Sequence, residues 1–236
     1  MRKYDLVCFD MDGTLTTVRS SWRWVHDCFE VDNEPAYQAF INGEIDEAEF
    51  MRRDIRLWMD KQPGVRIGDI ARTFQTMPLI GGIQETIACL NENGIDSVIV
   101  SGGIDLAARM LCNEFGFSDC IADEICCDDD GVLTGEGIQH LDLRDKGINV
   151  RQFIERYGTT KERTVSIGNS FTDIPMFENS GLSIAFNPTD EYTSEAADHT
   201  VFSDNIADVL DFIICDDEPE ESPQKGFAGA FRRRSS

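Results

Sequence analysis

Two aspartates two residues apart, Asp10 and Asp12, follow the apolar run Leu6-Val7-Cys8-Phe9 and precede Gly13. Such a run reads as a buried strand, and open α/β sheets keep their reacting groups at the carboxyl ends of strands. Residues two apart in extended backbone point the same way, so both carboxylates can approach one centre while Gly13 turns the chain aside. A carboxylate can attack phosphorus and form an aspartyl-phosphate, provided a cation cancels its repulsion from the phosphate. Asp10 suits that nucleophile. Asp12, kept protonated by its like-charged neighbour, suits the acid that protonates a leaving alcohol and the base that then accepts a proton from water. Taken alone, Asp12-Gly13 reads equally as a turn that ends a strand. The chemistry therefore depends on partners elsewhere.

Three partners follow in an order that fits one site. Ser97-Val98-Ile99-Val100 reads as another buried strand, and it leads into Ser101-Gly102-Gly103, a hydroxyl beside two glycines whose N–H groups can approach an oxyanion. Lys146, between Asp145 and Gly147, stands at the start of a helix through Phe153 and Tyr157, where an ammonium can neutralise both a phosphate and Asp10. Thr164-Val165-Ser166-Ile167 forms a third strand-like run, ending in Gly168-Asn169-Ser170-Phe171-Thr172-Asp173. Asn169 and Asp173 offer oxygen ligands of the kind Mg²⁺ prefers.

With these four motifs in this order, the chain resembles the haloacid dehalogenase superfamily of phosphohydrolases, and within it the phosphoserine phosphatase-like branch. The resemblance spans about residues 4 to 214 and includes Gly131-Val132-Leu133-Thr134-Gly135 and Ile174-Pro175-Met176-Phe177. It implies Asp10 as nucleophile, Asp12 as general acid/base, and Ser101 and Lys146 as phosphate-holding groups beside Gly102 and Gly103. It also implies a Mg²⁺ held by Asp10, the Asp12 main-chain carbonyl and the 168–173 loop. The implied activity is phosphomonoester hydrolysis of a small phosphorylated metabolite, with O-phosphoserine and a place in serine biosynthesis first. Other small phosphate esters, phosphoryl transfer to an alcohol, and a binding module without turnover stay open as alternatives.

Two positions depart from that pattern. Many members carry Asp where this chain has Asn169, which makes one metal ligand neutral. The related phosphatases carry an acid for the substrate amino group where this chain has Arg19, and Arg19 favours a carboxylated substrate unless Glu30 or another acid takes that place. Arg52, Arg53 and Arg56 lie on one expected helix. Arg52 and Arg56 share a face at i,i+4, so at least one is a candidate for a substrate carboxylate or phosphate, with pairing to Glu49 or Asp54 as the alternative.

The elements that must position these groups read as α/β: a doubly wound, mainly parallel, Rossmann-like sheet with an inserted helical cap. Residues 1–17 and 78–215 are expected to form the core, 18–77 the cap, and 216–236 a disordered acidic and then basic tail. The cap assignment follows from Trp22, Trp24, Val25, Phe29, Phe40, Ile41, Phe50, Ile55 and Trp58, which lack strand alternation. Helices are expected over 83–93 and 104–115, stopped by Gly94 and Gly116, and over 205–214; further strands over 182–186 and 199–202. Trp22 and Trp24 read as core, with one of them at the entrance as the alternative. His26, His140 and His199 read as ordinary surface or satisfied histidines.

The 236 residues carry a formal net charge of −23, which argues against binding a nucleic-acid backbone. Only Lys3, Lys61, Lys146, Lys161 and Lys225 are lysines among 21 basic residues, a bias that resembles proteins from a high-salt cytoplasm. Salt screens the self-repulsion of so acidic a surface, so the thermal midpoint should rise between low salt and molar KCl; an unmoved midpoint would count against this. Eight cysteines without a C-x-x-C pair read as reduced thiols rather than a metal set. No apolar run is long enough to span a membrane, and Met1-Arg2-Lys3 leads straight into the first strand. A cytoplasmic monomer or homodimer is the expectation.

Overall fold

In the computed structural model, which describes residues 3–214, Leu6–Phe9 is the fully buried strand β1. The other strands are β2 (Asp96–Ile104), β3 (Asp119–Cys127), β4 (Leu133–Ile138), β5 (Thr164–Gly168), β6 (Leu182–Phe186) and β7 (His199–Val201). They form one sheet in the order β4-β3-β2-β1-β5-β6-β7, parallel except for β4, which runs antiparallel to β3. β1 pairs with β2 on one side and β5 on the other, so the strand order reverses around it. A crevice at the carboxyl ends of strands follows from that reversal. The expected tail lies outside the described residues.

Alternation along β1 divides the core. Leu6 and Cys8 pack with Val98 and Val100 against Val150, Phe153 and Met176, whereas Val7 and Phe9 pack with Ile99 against Ile87, Leu90 and Leu111. The first set belongs to helices α7 (Gly147–Tyr157) and α8 (Ile174–Phe177), the second to α5 (Ile83–Glu92) and α6 (Asp105–Phe115). Asp10 continues the even-numbered face, and its N–H still donates to Ile167 O at 2.8 Å, one residue beyond the strand. The same periodicity that buries Leu6 and Cys8 thus turns Asp10 toward the start of α7, where Lys146 sits.

Four helices fill the segment between β1 and α5: α1 (Ser21–Phe29), α2 (Glu34–Ile41), α3 (Glu47–Lys61) and α4 (Ile67–Phe74). An antiparallel bridge between Thr16 and Leu79 closes the base of this insertion. Its far side is tied to the β3–β4 hairpin by Ile67 N–H to Gly131 O at 2.8 Å and Leu133 N–H to Val65 O at 3.0 Å. Trp22 stacks on Trp58 with centroids 5.6 Å apart at the cavity side of the insertion, and Trp24 Nε1 donates to Thr73 O at 2.9 Å within it. The chain continues through α9 (Glu191–Ala196), a 3₁₀ turn at Ile206–Val209 and α10 (Leu210–Ile213). The single helix expected over 205–214 is therefore split. The seven cysteines among the described residues are free thiols, and no helix there is long and apolar enough to cross a membrane.

Candidate active site

Lys146 bridges two buried acids at the end of β1. Its Nζ donates to Asp10 Oδ1 at 2.8 Å and to Asp173 Oδ1 at 2.7 Å, and all three side chains are almost wholly enclosed. Asp173 Oδ2 accepts from the N–H groups of Asn169 and Ser170 at 2.9 and 3.0 Å, so this one carboxylate both anchors Lys146 and shapes the loop. Asp10 Oδ2 has only the Thr14 hydroxyl near it, at 3.5 Å. One oxygen of Asp10 is thus fixed by an ammonium and the other is left for chemistry.

Asp12 is held from the insertion. Both the N–H and the hydroxyl of Ser21, the first residue of α1, donate to Asp12 Oδ2 at 2.9 Å, and the same hydroxyl accepts from Ile104 N–H at 2.9 Å. Asp12 Oδ1 is buried with no hydrogen-bond partner, so it is the oxygen free to handle a proton. A Cβ on Gly103 would lie 2.4 Å from Ser21 Oγ and 2.6 Å from Asp12 Oδ2, which explains the glycine there. Ser21→Ala should lower kcat about 10-fold and leave KM within about twofold, because it loosens Asp12 without touching bound phosphate. An unchanged kcat would remove Ser21 from this role.

Ser101, Gly102 and Gly103 lie where the β2–β3 register shifts, between Val100 and Ile104, rather than after the end of β2. Gly103 N–H donates to Ser101 Oγ at 3.0 Å, and Gly102 O accepts from Trp22 Nε1 at 3.2 Å. Gly13, at φ +83°, leaves no room for a side chain: a Cβ would sit 2.1 Å from Asn169 Nδ2. Asn169 is thereby pressed against the loop carrying Asp10 and Asp12.

These groups open into a cavity of about 650 Å³ between the carboxyl ends of the central strands and the inserted helices. Asp10, Asp12, Ser101, Gly102, Gly103, Lys146, Asn169 and Arg19 all line it. Asp173 stands behind Lys146. Arg52 and Arg56 are not brought to the cavity: Arg52 pairs with Glu49 at 3.2 Å, and Arg52 and Arg56 reach toward Glu136 of β4 at 3.8 and 3.7 Å. The β3–β4 hairpin supplies that competing acid, which the spacing of arginines on α3 does not reveal.

Burial, then the nearby Asp173, pushes the Asp10 carboxyl up to about 7 against the pull of Lys146, and burial pushes Asp12 up to about 6 despite the Ser21 bonds. Three carboxylates against one ammonium leave excess negative charge among oxygen donors, a set that fits a hard divalent cation. A carboxyl with a raised folded-state pKa binds its proton more tightly in the folded than in the unfolded chain. Stability from these groups is therefore greatest at low pH and falls as pH rises from about 4 to about 7. The metal-free thermal midpoint should drop by several degrees between pH 5 and pH 7.5; a midpoint rising over that range would contradict the charge imbalance.

The sequence does not mark Ser21, Asn33 or Asp54 as site residues, and of the two tryptophans it is Trp22 that lines the cavity, as the alternative reading had it. A signal for Ser21 exists in the Ser20-Ser21 doublet. Ser20 is the N-cap of α1, its side chain accepting from Arg23 N–H at 3.3 Å, which frees the second serine to reach Asp12.

Residues 7–178 match the model of the haloacid dehalogenase-like hydrolase family. The phosphoserine phosphatase SerB2 of Mycobacterium tuberculosis is 35% identical over 155 residues, which cover 64% of this chain and 36% of that protein. The chain thus spans about a third of that relative's length. The phosphoserine phosphatase of Methanocaldococcus jannaschii is 26% identical over 215 residues, covering 90% of this chain and 99% of that one. A solved substrate-bound phosphoserine phosphatase complex superposes with a TM-score of 0.74 at 24% identity, covering 90% of this chain and all of that one, which shows the shared fold. With the matched segment running from β1 through α8, the chain belongs to the haloacid dehalogenase-like hydrolase family.

Proposed function

We propose that this chain is a Mg²⁺-dependent phosphomonoesterase that hydrolyses O-phosphoserine through an aspartyl-phosphate on Asp10. The observation that carries the reading is the enclosed Asp10–Lys146–Asp173 arrangement, with Asp12 on the same loop, Asp12 Oδ1 unpartnered and Asp10 Oδ2 met by the Thr14 hydroxyl at 3.5 Å. Curated relatives named phosphoserine phosphatase support the substrate.

In the first half-reaction Asp10 Oδ2 attacks phosphorus, the phosphorus–ester oxygen bond breaks, and Asp12 gives its proton to the departing serine oxygen. In the second, water attacks phosphorus, its proton passes to Asp12, and the acyl phosphate bond breaks to leave inorganic phosphate and free Asp10. Lys146 and Ser101 steady the non-bridging oxygens, and Lys146 holds Asp10 Oδ1 throughout. Asp10, the Asp12 main-chain carbonyl and Asn169 would hold the Mg²⁺, because both Asp173 oxygens are already engaged. The ion supplies charge that offsets carboxylate–phosphate repulsion. Residues 18–77 serve as a cap over a core that, among the described residues, takes in 3–17 and 78–214, shielding the reaction from bulk water.

The test is phosphate release from O-phosphoserine and p-nitrophenyl phosphate with and without Mg²⁺. Release that depends on Mg²⁺ is expected, and silence on both esters would overturn the proposal.

A further inference from the structure

The cavity wall away from Asp10 carries charge of both signs. Asp54, on α3, is 1% exposed, with Asn33 Nδ2 at 3.2 and 3.4 Å from its two oxygens and His26 Nε2 at 3.2 Å from Oδ2, the latter off hydrogen-bond alignment. His26 brings no positive charge. Trp58 Nε1 donates to His26 Nδ1 at 2.8 Å, and an indole N–H can only donate, so Nδ1 must be the bare nitrogen and the ring neutral. Among the described residues Asp54 is therefore a buried carboxylate in a cavity wall whose partners, Asn33 and His26, are neutral. An uncompensated buried charge is costly, and a cationic group on a ligand completes it.

Arg19 presents the converse. Arg19 lines the same cavity, is exposed, and has no hydrogen bond or ion pair among the described residues. Arg23, the other arginine of the wall, is committed to Asp27 at 2.9 Å. Of the remaining acids, Glu47 accepts from Gln139 at 2.7 Å, Asp123 from His140 N–H at 2.8 Å, and Glu34 from Gln38 at 2.7 Å.

We infer that Arg19 and Asp54 read the two ends of a zwitterionic substrate, Arg19 taking its carboxylate and Asp54 its ammonium, while the phosphate lies at Asp10 and Lys146. This rests on the proposed phosphatase activity and assigns the charge recognition within the same cavity. It also accounts for the basic residue beside the nucleophile loop. Arg19 sits at the first turn of the insertion and Asp54 on its long helix, so the cap discriminates by a pair of opposite charges rather than by the arginines on the outer face of α3.

The experiment compares Arg19→Gln and Asp54→Asn with the parent on four esters. These are O-phosphoserine, O-phosphoethanolamine, which lacks the carboxylate, 3-phosphohydroxypropionate, which lacks the amine, and p-nitrophenyl phosphate. Arg19→Gln should lower kcat/KM about 10-fold or more for the two carboxylated esters and less than about twofold for phosphoethanolamine. Asp54→Asn should do the reverse, losing about 10-fold on the two amino esters and sparing 3-phosphohydroxypropionate. Thermal midpoints report folding. If Asp54→Asn does not fold, the Arg19→Gln pattern, together with the parent's preference for O-phosphoserine over 3-phosphohydroxypropionate, decides the matter. Equal losses on all esters, or no loss on O-phosphoserine, would overturn the inference. Parent activity on p-nitrophenyl phosphate alone would overturn it while leaving the phosphatase reading intact, and silence on all four would end both.

Discussion

Asp10→Asn is expected to remove turnover by about 10⁴-fold or more, because an amide oxygen cannot form and then release the acyl phosphate. The fold should survive. Asp10 is buried beside Asp173 and Asp12 with its carboxyl raised to about 7, so its ionised form is unfavourable in the folded chain at neutral pH. A neutral isostere relieves that charge, and the metal-free thermal midpoint at pH 7.5 should stay at or above that of the parent. The pairing of lost activity with retained stability separates a chemical role from a structural one. Residual activity within about tenfold of the parent would remove Asp10 as the nucleophile.

Lys146→Ala should damage both activity and stability. Among the described residues its ammonium is the only cation within hydrogen-bond reach of Asp10 and Asp173, and truncation leaves two buried carboxylates facing each other. Removing one partner from a buried ion pair costs about 3–5 kcal/mol, which corresponds to a fall of roughly 10 °C in thermal midpoint for a chain of this size. The kinetic loss should be about 10²–10³-fold in kcat with a raised KM, since the lysine serves both bound phosphate and the charge developing on it. Denaturant titration and steady-state kinetics on the same preparation check the two effects. A variant with unchanged kcat/KM would place Lys146 outside the reaction, whatever its stability.

The sheet was legible because buried parallel strands are written as short apolar runs, and Leu6–Phe9 and Leu182–Phe186 have the bounds expected of them. β3 was not legible in that way: Asp119, Asp123 and Glu124 break its apolar pattern, since one end pairs with β4 near solvent. Within the site, residues at the ends of strands were found, as were Lys146 at a helix start and Arg19 ahead of the first inserted helix, whereas those on the inserted helices themselves were not. Ser21 and Asp54 come from helices whose facing depends on tertiary packing, and no periodicity in α1 or α3 marks the side turned to the cavity. Arg52 and Arg56 show the same limit from the other direction. Their i,i+4 spacing places them on one face, but only the position of Glu136 on β4 decides that this face looks away from the cavity.

The charge on the cavity groups also required the structure. A count of carboxylates in the sequence cannot distinguish Asp173, with both oxygens engaged by Lys146 and two backbone N–H groups, from Asp12, with one oxygen free. Nor can it reveal that Trp58 fixes His26 as neutral and so leaves Asp54 uncompensated. These distinctions decide which acids can exchange a proton, which only support others, and which await a cation from a ligand.

The most direct test of the account is mass analysis of the protein quenched in acid during turnover of O-phosphoserine with Mg²⁺. One added phosphoryl group is expected on the peptide containing Asp10, absent from the Asp10→Asn protein. Steady turnover with the phosphoryl group on another residue, or with no phosphorylated protein at any time point, would contradict it.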